Sequence, residues 1–175
     1  MTDRLILDTH IALWLDSGDD ALRPPTRALI DDCWQNGGTI LLSAVSVWEI
    51  ALLVDTRRIE LDLPIEAWIT RFVERPGVEG LPLGHSAASR SYRLYQLEHR
   101  DPADRLLIAS AIELECPLVT YDERILRFAA GMAVSTGLPP TAEKRIPSPE
   151  AVRAREASGT GRPAMRNDGF FYIAK

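Results

Sequence analysis

The chain has 175 residues, 46% of them hydrophobic and 26% charged, with a formal net charge of −5; this is the length and balance of one globular domain that buries its own core, and nothing in it calls for a second. The charge divides unevenly, because residues 1–130 carry 13 basic and 21 acidic side chains (net −8) and no lysine, whereas 131–175 carry 7 basic and 4 acidic ones (net +3). An acidic body excludes broad phosphate-driven affinity for nucleic acid, which needs a positive footprint, but leaves room for a nucleic-acid enzyme that gathers metal cations in an acidic pocket.

The N-terminus carries Asp3 beside Arg4 and its apolar run is short, so neither a signal peptide nor a membrane span is expected. Leu5 to Leu7 reads as a buried parallel strand that stops on a carboxylate, Asp8. Ile11 to Leu15 then forms a short helix broken by the turn cluster at 16–20, and Pro24-Pro25 opens a second helix through Trp34, with Asp31-Asp32 on its wet face. Asn36-Gly37-Gly38 ends it. Cys33 and the later Cys116 lack C-x-x-C spacing and read as buried free thiols, which fits a soluble, cytoplasmic, reducing setting.

Thr39 to Ser43 is a second buried strand, followed by Ser46-Val47-Trp48-Glu49 and a helix through Val54. Ser46 and Glu49 have the spacing of a capping box, so the residues alone leave Glu49 equally a helix cap and a catalytic acid. Pro64 to Val73 is an amphipathic helix, Gly80 to Leu83 a short edge strand, and His85 to Leu97 a helix with Ala88, Tyr92 and Tyr95 facing inward.

The segment His99-Arg100-Asp101-Pro102-Ala103-Asp104-Arg105 leads into a nearly all-apolar helix, with Asp101 as its N-cap, Pro102 at the first helical position and Asp104 at the third. Cys116-Pro117 follows its end, Leu118 to Thr120 is a third buried strand finishing on Tyr121-Asp122, and Met132 to Ser135 is a last short strand. From about Gly137 the texture turns rich in proline and glycine without an apolar period, so the expected division is a domain at 1–136 and a disordered or loosely docked tail at 137–175.

Asp8, Glu49, Asp104 and Asp122 each fall at a strand end or a helix start, and in a parallel sheet with right-handed crossovers those positions share one edge. Four ionised carboxylates repel one another, and divalent cations resolve the conflict; an all-oxygen set suits Mg²⁺ or Mn²⁺. The serines read as caps and turn formers, and the G-x-S-x-G pattern of a serine hydrolase is absent.

Taken together, the stretches Leu5 to Trp14, Ser43 to Ala51, His99 to Ala109 and Leu118 to Asp122 resemble the PIN-domain family, and within it the bacterial VapC-type toxins of type II toxin–antitoxin pairs. The likeness covers residues 1–136, with Ala103 where the family has an aromatic residue and with an appended tail where the family normally ends. It implies an α/β/α sandwich on a mainly parallel sheet and a metal-dependent endoribonuclease. Asp8, Glu49, Asp104 and Asp122 would be its catalytic and metal-binding acids, Mg²⁺ its cofactor with Mn²⁺ as substitute, and RNA its substrate. A cognate antitoxin and a second copy in a homodimer would be its partners.

Arg100, Arg105 and Arg124 flank the acids and read either as RNA-phosphate contacts or as salt-bridge partners; His10 reads as a structural hydrogen bond or an RNA-stacking ring. Two phosphate-handling alternatives lack their marks, since a receiver domain wants a partner lysine and a haloacid-dehalogenase-type phosphatase a second aspartate where His10 stands. The remaining alternative is a non-catalytic PIN-like module that binds RNA or protein.

Overall fold

The structure is a computed structural model that describes residues 3–95, 97 and 101–135, with side chains described through 130. The tail at 137–175 and Arg100 lie outside the described residues. In chain order the elements are β1 (Arg4–Leu7), α1 (Thr9–Ser17), α2 (Pro24–Gln35), β2 (Thr39–Ser43), α3 (Ala44–Asp55), α4 (Ile65–Val73), β3 (Val78–Leu81), α5 (His85–Ser91), α6 (Pro102–Glu113), β4 (Leu118–Val119) and α7 (Glu123–Ser135).

The strands form one parallel sheet in the order β3-β2-β1-β4, with Leu7 opposite both Leu42 and Val119. Alternation along β1 sends its side chains to opposite faces. Leu5 and Leu7 pack with Ile30 and Cys33 of α2 and with Trp68 and Phe72 of α4. Ile6 packs with Leu107, Ile108 and Ala111 of α6 and with Ile125 and Phe128 of α7. Both faces of the sheet are therefore covered, which is why its strands read as continuous apolar runs, and each fully buried Leu or Ile contributes about 1.5–3 kcal/mol. The result is the three-layer α/β/α sandwich expected from the sequence.

From β1 the chain moves first to β2 on one side and later to β4 on the other. This reversal opens a crevice at the carboxyl ends of β1 and β4, the usual ligand position in open α/β sheets. β1 stops where Asp8 caps α1, and Gly18 in the left-handed region (φ 70) closes that helix.

Four local expectations change. α3 starts at Ala44 under a Ser43 cap, earlier than the expected Ser46. The edge strand is Val78–Leu81, shifted ahead of Pro82, which lacks the amide to extend it. α5 ends at Ser91, with Tyr92 and Tyr95 turned outward at 82% and 86% exposure. Met132 to Ser135 belongs to α7, a helix anchored by the buried Ile125 and Phe128 nearer its start. Cys33 and Cys116 are buried free thiols as expected, and burial pushes the Cys116 thiol up to about 11. Among the described residues no helix is long and apolar enough to cross a membrane.

Candidate active site

Asp8 is 4% exposed at the end of β1, and a buried carboxylate needs donors. The Thr9 amide donates to Oδ1 at 2.6 Å and the Thr120 hydroxyl to Oδ2 at 2.5 Å. The Thr120 oxygen in turn accepts the Asp122 amide at 2.9 Å, so its proton is directed at Asp8 and one hydroxyl sets the spacing of two acids. His10 Nδ1 lies 3.4 Å from Asp8 Oδ2, while its Nε2 accepts the Tyr121 amide at 3.3 Å. Nitrogen Nε2 therefore carries no proton and Nδ1–H faces the carboxylate, a neutral tautomer assigned from this network. The ring sits edge-on to Trp14 at 4.9 Å.

Glu49 does not fold back to Ser46 in a capping box. Ser43 Oγ takes the cap by accepting the Val45 amide at 3.1 Å, which places Ser46 inside the helix with a buried hydroxyl unpartnered among the described residues. Released from capping, Glu49 points its Oε2 at the Thr9 hydroxyl, 2.5 Å away. Burial raises its pKa first of all; the Thr9 hydrogen bond lowers it, and the charges of Asp8 and Asp101 raise it further.

Asp104, in the first turn of α6, has its carboxyl pushed up to about 7, by burial first and then by Asp8, Asp101, Asp122 and Glu49. The charges of all three other expected acids thus raise the Asp104 carboxyl, although they come from elements far apart in the chain. Asp122 Oδ1 accepts the amides of Arg124 at 2.7 Å and Ile125 at 3.3 Å and caps α7.

Asp101 caps α6 as expected, accepting the Ala103 amide at 2.9 Å, and it also belongs to the field of the cluster. Asp101→Ala is expected to cost about 1 kcal/mol in a denaturant melt, with only a modest fall in activity. Abolished activity in a normally stable variant would move the chemistry from Asp104 to Asp101.

The arginines differ in use. Arg105 turns its guanidinium onto the chain's own carbonyls, those of Ser91 and Leu94 at 3.0 Å and Leu97 at 3.3 Å. Arg124 is exposed at the start of α7, and Arg100 lies outside the described residues. The residues that sequence reasoning passed over are Thr9 and Thr120, the hydroxyls that hold Asp8 and Glu49; their signal was a threonine directly after Asp8 and another two residues before Asp122.

The donor set is all carboxylate, which fits a hard divalent cation. Among the described residues no three His, Cys, Asp or Glu side chains are drawn together closely enough to hold a metal ion.

With this geometry, comparison with known proteins is decisive. The PIN domain family model matches residues 5–131, a span that includes all four acids. This chain belongs to the PIN-domain family. Its PIN domain is 31% identical over 121 residues to Ribonuclease VapC22 of Mycobacterium tuberculosis, covering 69% of this chain and 88% of that protein. Among solved structures it is similar to VapBC2 from Rickettsia felis bound to a DNA fragment from their promoter, with a TM-score of 0.54 at 17% identity over 71% of this chain and 92% of that one. That level of identity speaks to the fold. FitAcB from Neisseria gonorrhoeae is 18% identical with a TM-score of 0.48, covering 71% of this PIN chain and 91% of its own.

Proposed function

We propose that this PIN domain is a metal-dependent endoribonuclease, the cytoplasmic toxin of a type II toxin–antitoxin pair. The observation that carries the reading is the pair of threonines that bring three acids together, Thr9 bonded to Asp8 and Glu49 and Thr120 bonded to Asp8 and Asp122, with burial and those same acids raising the carboxyl of Asp104. Such a group exchanges its proton for a cation at little cost. Asp8 and Asp104 would hold Mg²⁺, or Mn²⁺ in its place, with Glu49 and Asp122 as further ligands or water-orienting groups. When bound, the ion supplies charge neutralisation at the phosphate and an acidified water.

The chain's own residues do the rest. Thr9 fixes Glu49 through Oε2, leaving Oε1 to take the proton from the attacking water. A carboxylate whose pKa is raised is better matched to that role near neutral pH. Thr120 keeps Asp8 and Asp122 in register, and the RNA phosphodiester breaks as water oxygen bonds to phosphorus and the ribose oxygen leaves.

The 31% identity to a protein named as a ribonuclease supports the activity, and the Rickettsia felis structure, a VapBC2 complex, supports an antitoxin as partner for this chain. A homodimer is part of the same proposal.

The test is cleavage of a mixed single-stranded RNA pool by the full chain in Mg²⁺, in Mn²⁺ and in EDTA. Cutting is expected with either ion and none in EDTA. Undiminished cutting in EDTA would sink the metal mechanism, and an untouched pool under every condition would favour the non-catalytic binding module.

A further inference from the structure

We infer that the turn following α5 is a docking surface for single-stranded RNA, with Tyr92 and Tyr95 as base-stacking faces and Arg90 and Arg93 as phosphate-binding groups. The inference rests on the ribonuclease reading for its choice of nucleic acid, and on the geometry for its position.

Residues 80–97 contain two arginines and no acid, in a body whose first 130 residues have 13 basic and 21 acidic side chains. After α5 ends at Ser91, Leu94 and Leu97 tuck into the core at 8% and 6% exposure. Arg105 clamps the same stretch from within, through the carbonyls of Ser91, Leu94 and Leu97. With its inner side fixed in this way, the segment displays Tyr92 at 82% exposure and Tyr95 at 86%. Those are the two most exposed large apolar side chains among the described residues.

Arg90 and Arg93 are exposed beside them and make no ion pair among the described residues. Because Arg105 directly follows Asp104, the surface is tied to the helical turn that carries an acid of the site.

Planar rings held in place on an anchored turn and interleaved with arginines are what unpaired nucleotides require, since every base has a face to stack and every linkage an anionic oxygen. A second copy of the chain fits less well: across a two-fold axis this patch would set arginines against arginines. A polyanion meets the same charges with opposite sign.

The test is fluorescence anisotropy of a labelled mixed-sequence single-stranded RNA against the full chain in EDTA, where no metal-dependent cleavage intrudes, with sedimentation run in parallel. The Tyr92→Ala/Tyr95→Ala variant is expected to bind at least about 10-fold more weakly, whereas Tyr92→Phe/Tyr95→Phe, which keeps the rings, should stay within about 2-fold of the parent. Arg90→Ala/Arg93→Ala should flatten the dependence of affinity on salt, by about 0.7 in log–log slope for each phosphate no longer neutralised. Melts should be unchanged, the four side chains being exposed.

The inference falls if the alanine pair binds RNA like the parent, if the parent binds none, or if the alanine pair changes only the oligomeric state, which would make the patch a protein interface. Tyrosine-dependent binding by a protein that cleaves nothing in any metal would leave this inference standing and remove the proposed activity. Cleavage with binding indifferent to the tyrosines would do the reverse.

Discussion

Asp104→Asn is expected to abolish metal-dependent RNA cleavage while making the metal-free protein more stable at neutral and alkaline pH. The loss of cleavage follows from removing one charge and one oxygen ligand from a set that has no spare, and should reach at least about 100-fold, the scale seen when one electrostatic group is taken from an active site. The stability gain follows from proton linkage. In the folded protein the Asp104 carboxyl is held up to about 7, against about 4 in an unfolded chain. Between those values the folded chain keeps a proton that the unfolded chain has lost, so stability falls as pH rises through this window. Above about 7 the whole penalty is present, and below about 4 it is absent.

Asp104 is half-buried, and solvent screening holds the effect to about 1–2 kcal/mol. Burial of Glu49 raises its pKa and adds in the same direction. Denaturant melts in EDTA at pH 5 and pH 8 check the claim: the parent should be more stable at pH 5 as far as this cluster is concerned, and Asp104→Asn should narrow the difference by stabilising at pH 8. A variant that cleaves normally, or one that loses stability at pH 8 in EDTA, would contradict the placement of Asp104 among repelling acids.

The largest loss of stability is expected at Asp16, away from the candidate site. Its side chain is 8% exposed near the end of α1 and accepts from Trp68 Nε1 at 2.7 Å, from Arg71 at 2.8 Å and from Arg75. These three donors lie on or beside α4, so one carboxylate joins α4 to α1 over the core that contains Trp68 and Phe72. Asp16→Ala removes the acceptor of the Trp68 indole N–H and of the Arg75 guanidinium and leaves Arg71 with Asp62; because both guanidiniums keep some access to water, the cost is about 2–3 kcal/mol. Urea melts should show it as a shifted midpoint at unchanged slope. Asp62→Ala removes the other Arg71 partner, which is 63% exposed, and should have much the smaller effect because water takes the place of that carboxylate. Equal effects for the two variants would mean that the Asp16 pocket is wet and the joint between α1 and α4 is made by apolar packing alone.

The sequence by itself determined the class of fold and pointed to the acids proposed for the site. A short apolar run such as Leu5 to Leu7, bounded by charged residues on both sides, fits a strand covered on both faces, and a carboxylate that ends such a strand comes out at the sheet edge. Asp101 followed by Pro102 marked a helix start through purely local chemistry, because a cap needs only the backbone amides next to it. Features that depend on neighbours distant in the chain were decided by the tertiary structure. Ser46 and Glu49 satisfy the spacing of a capping box, but the Thr9 hydroxyl, forty residues away in sequence, offers Glu49 a better partner. Met132 to Ser135 has the composition of a strand, yet it is the last turn of α7, which runs from Glu123 to Ser135. Tyr92 and Tyr95 fall at inward positions only if the helix runs to Leu97; instead the Tyr95 amide bonds the Arg93 carbonyl, and Arg105 takes the Ser91 carbonyl that a continuing helix would have offered to Tyr95. Helix caps and buried strands are written in adjacent residues; the partners of a hydroxyl, a carboxylate or a guanidinium are chosen among whatever the fold brings within about 3 Å, and no spacing in the chain records that choice.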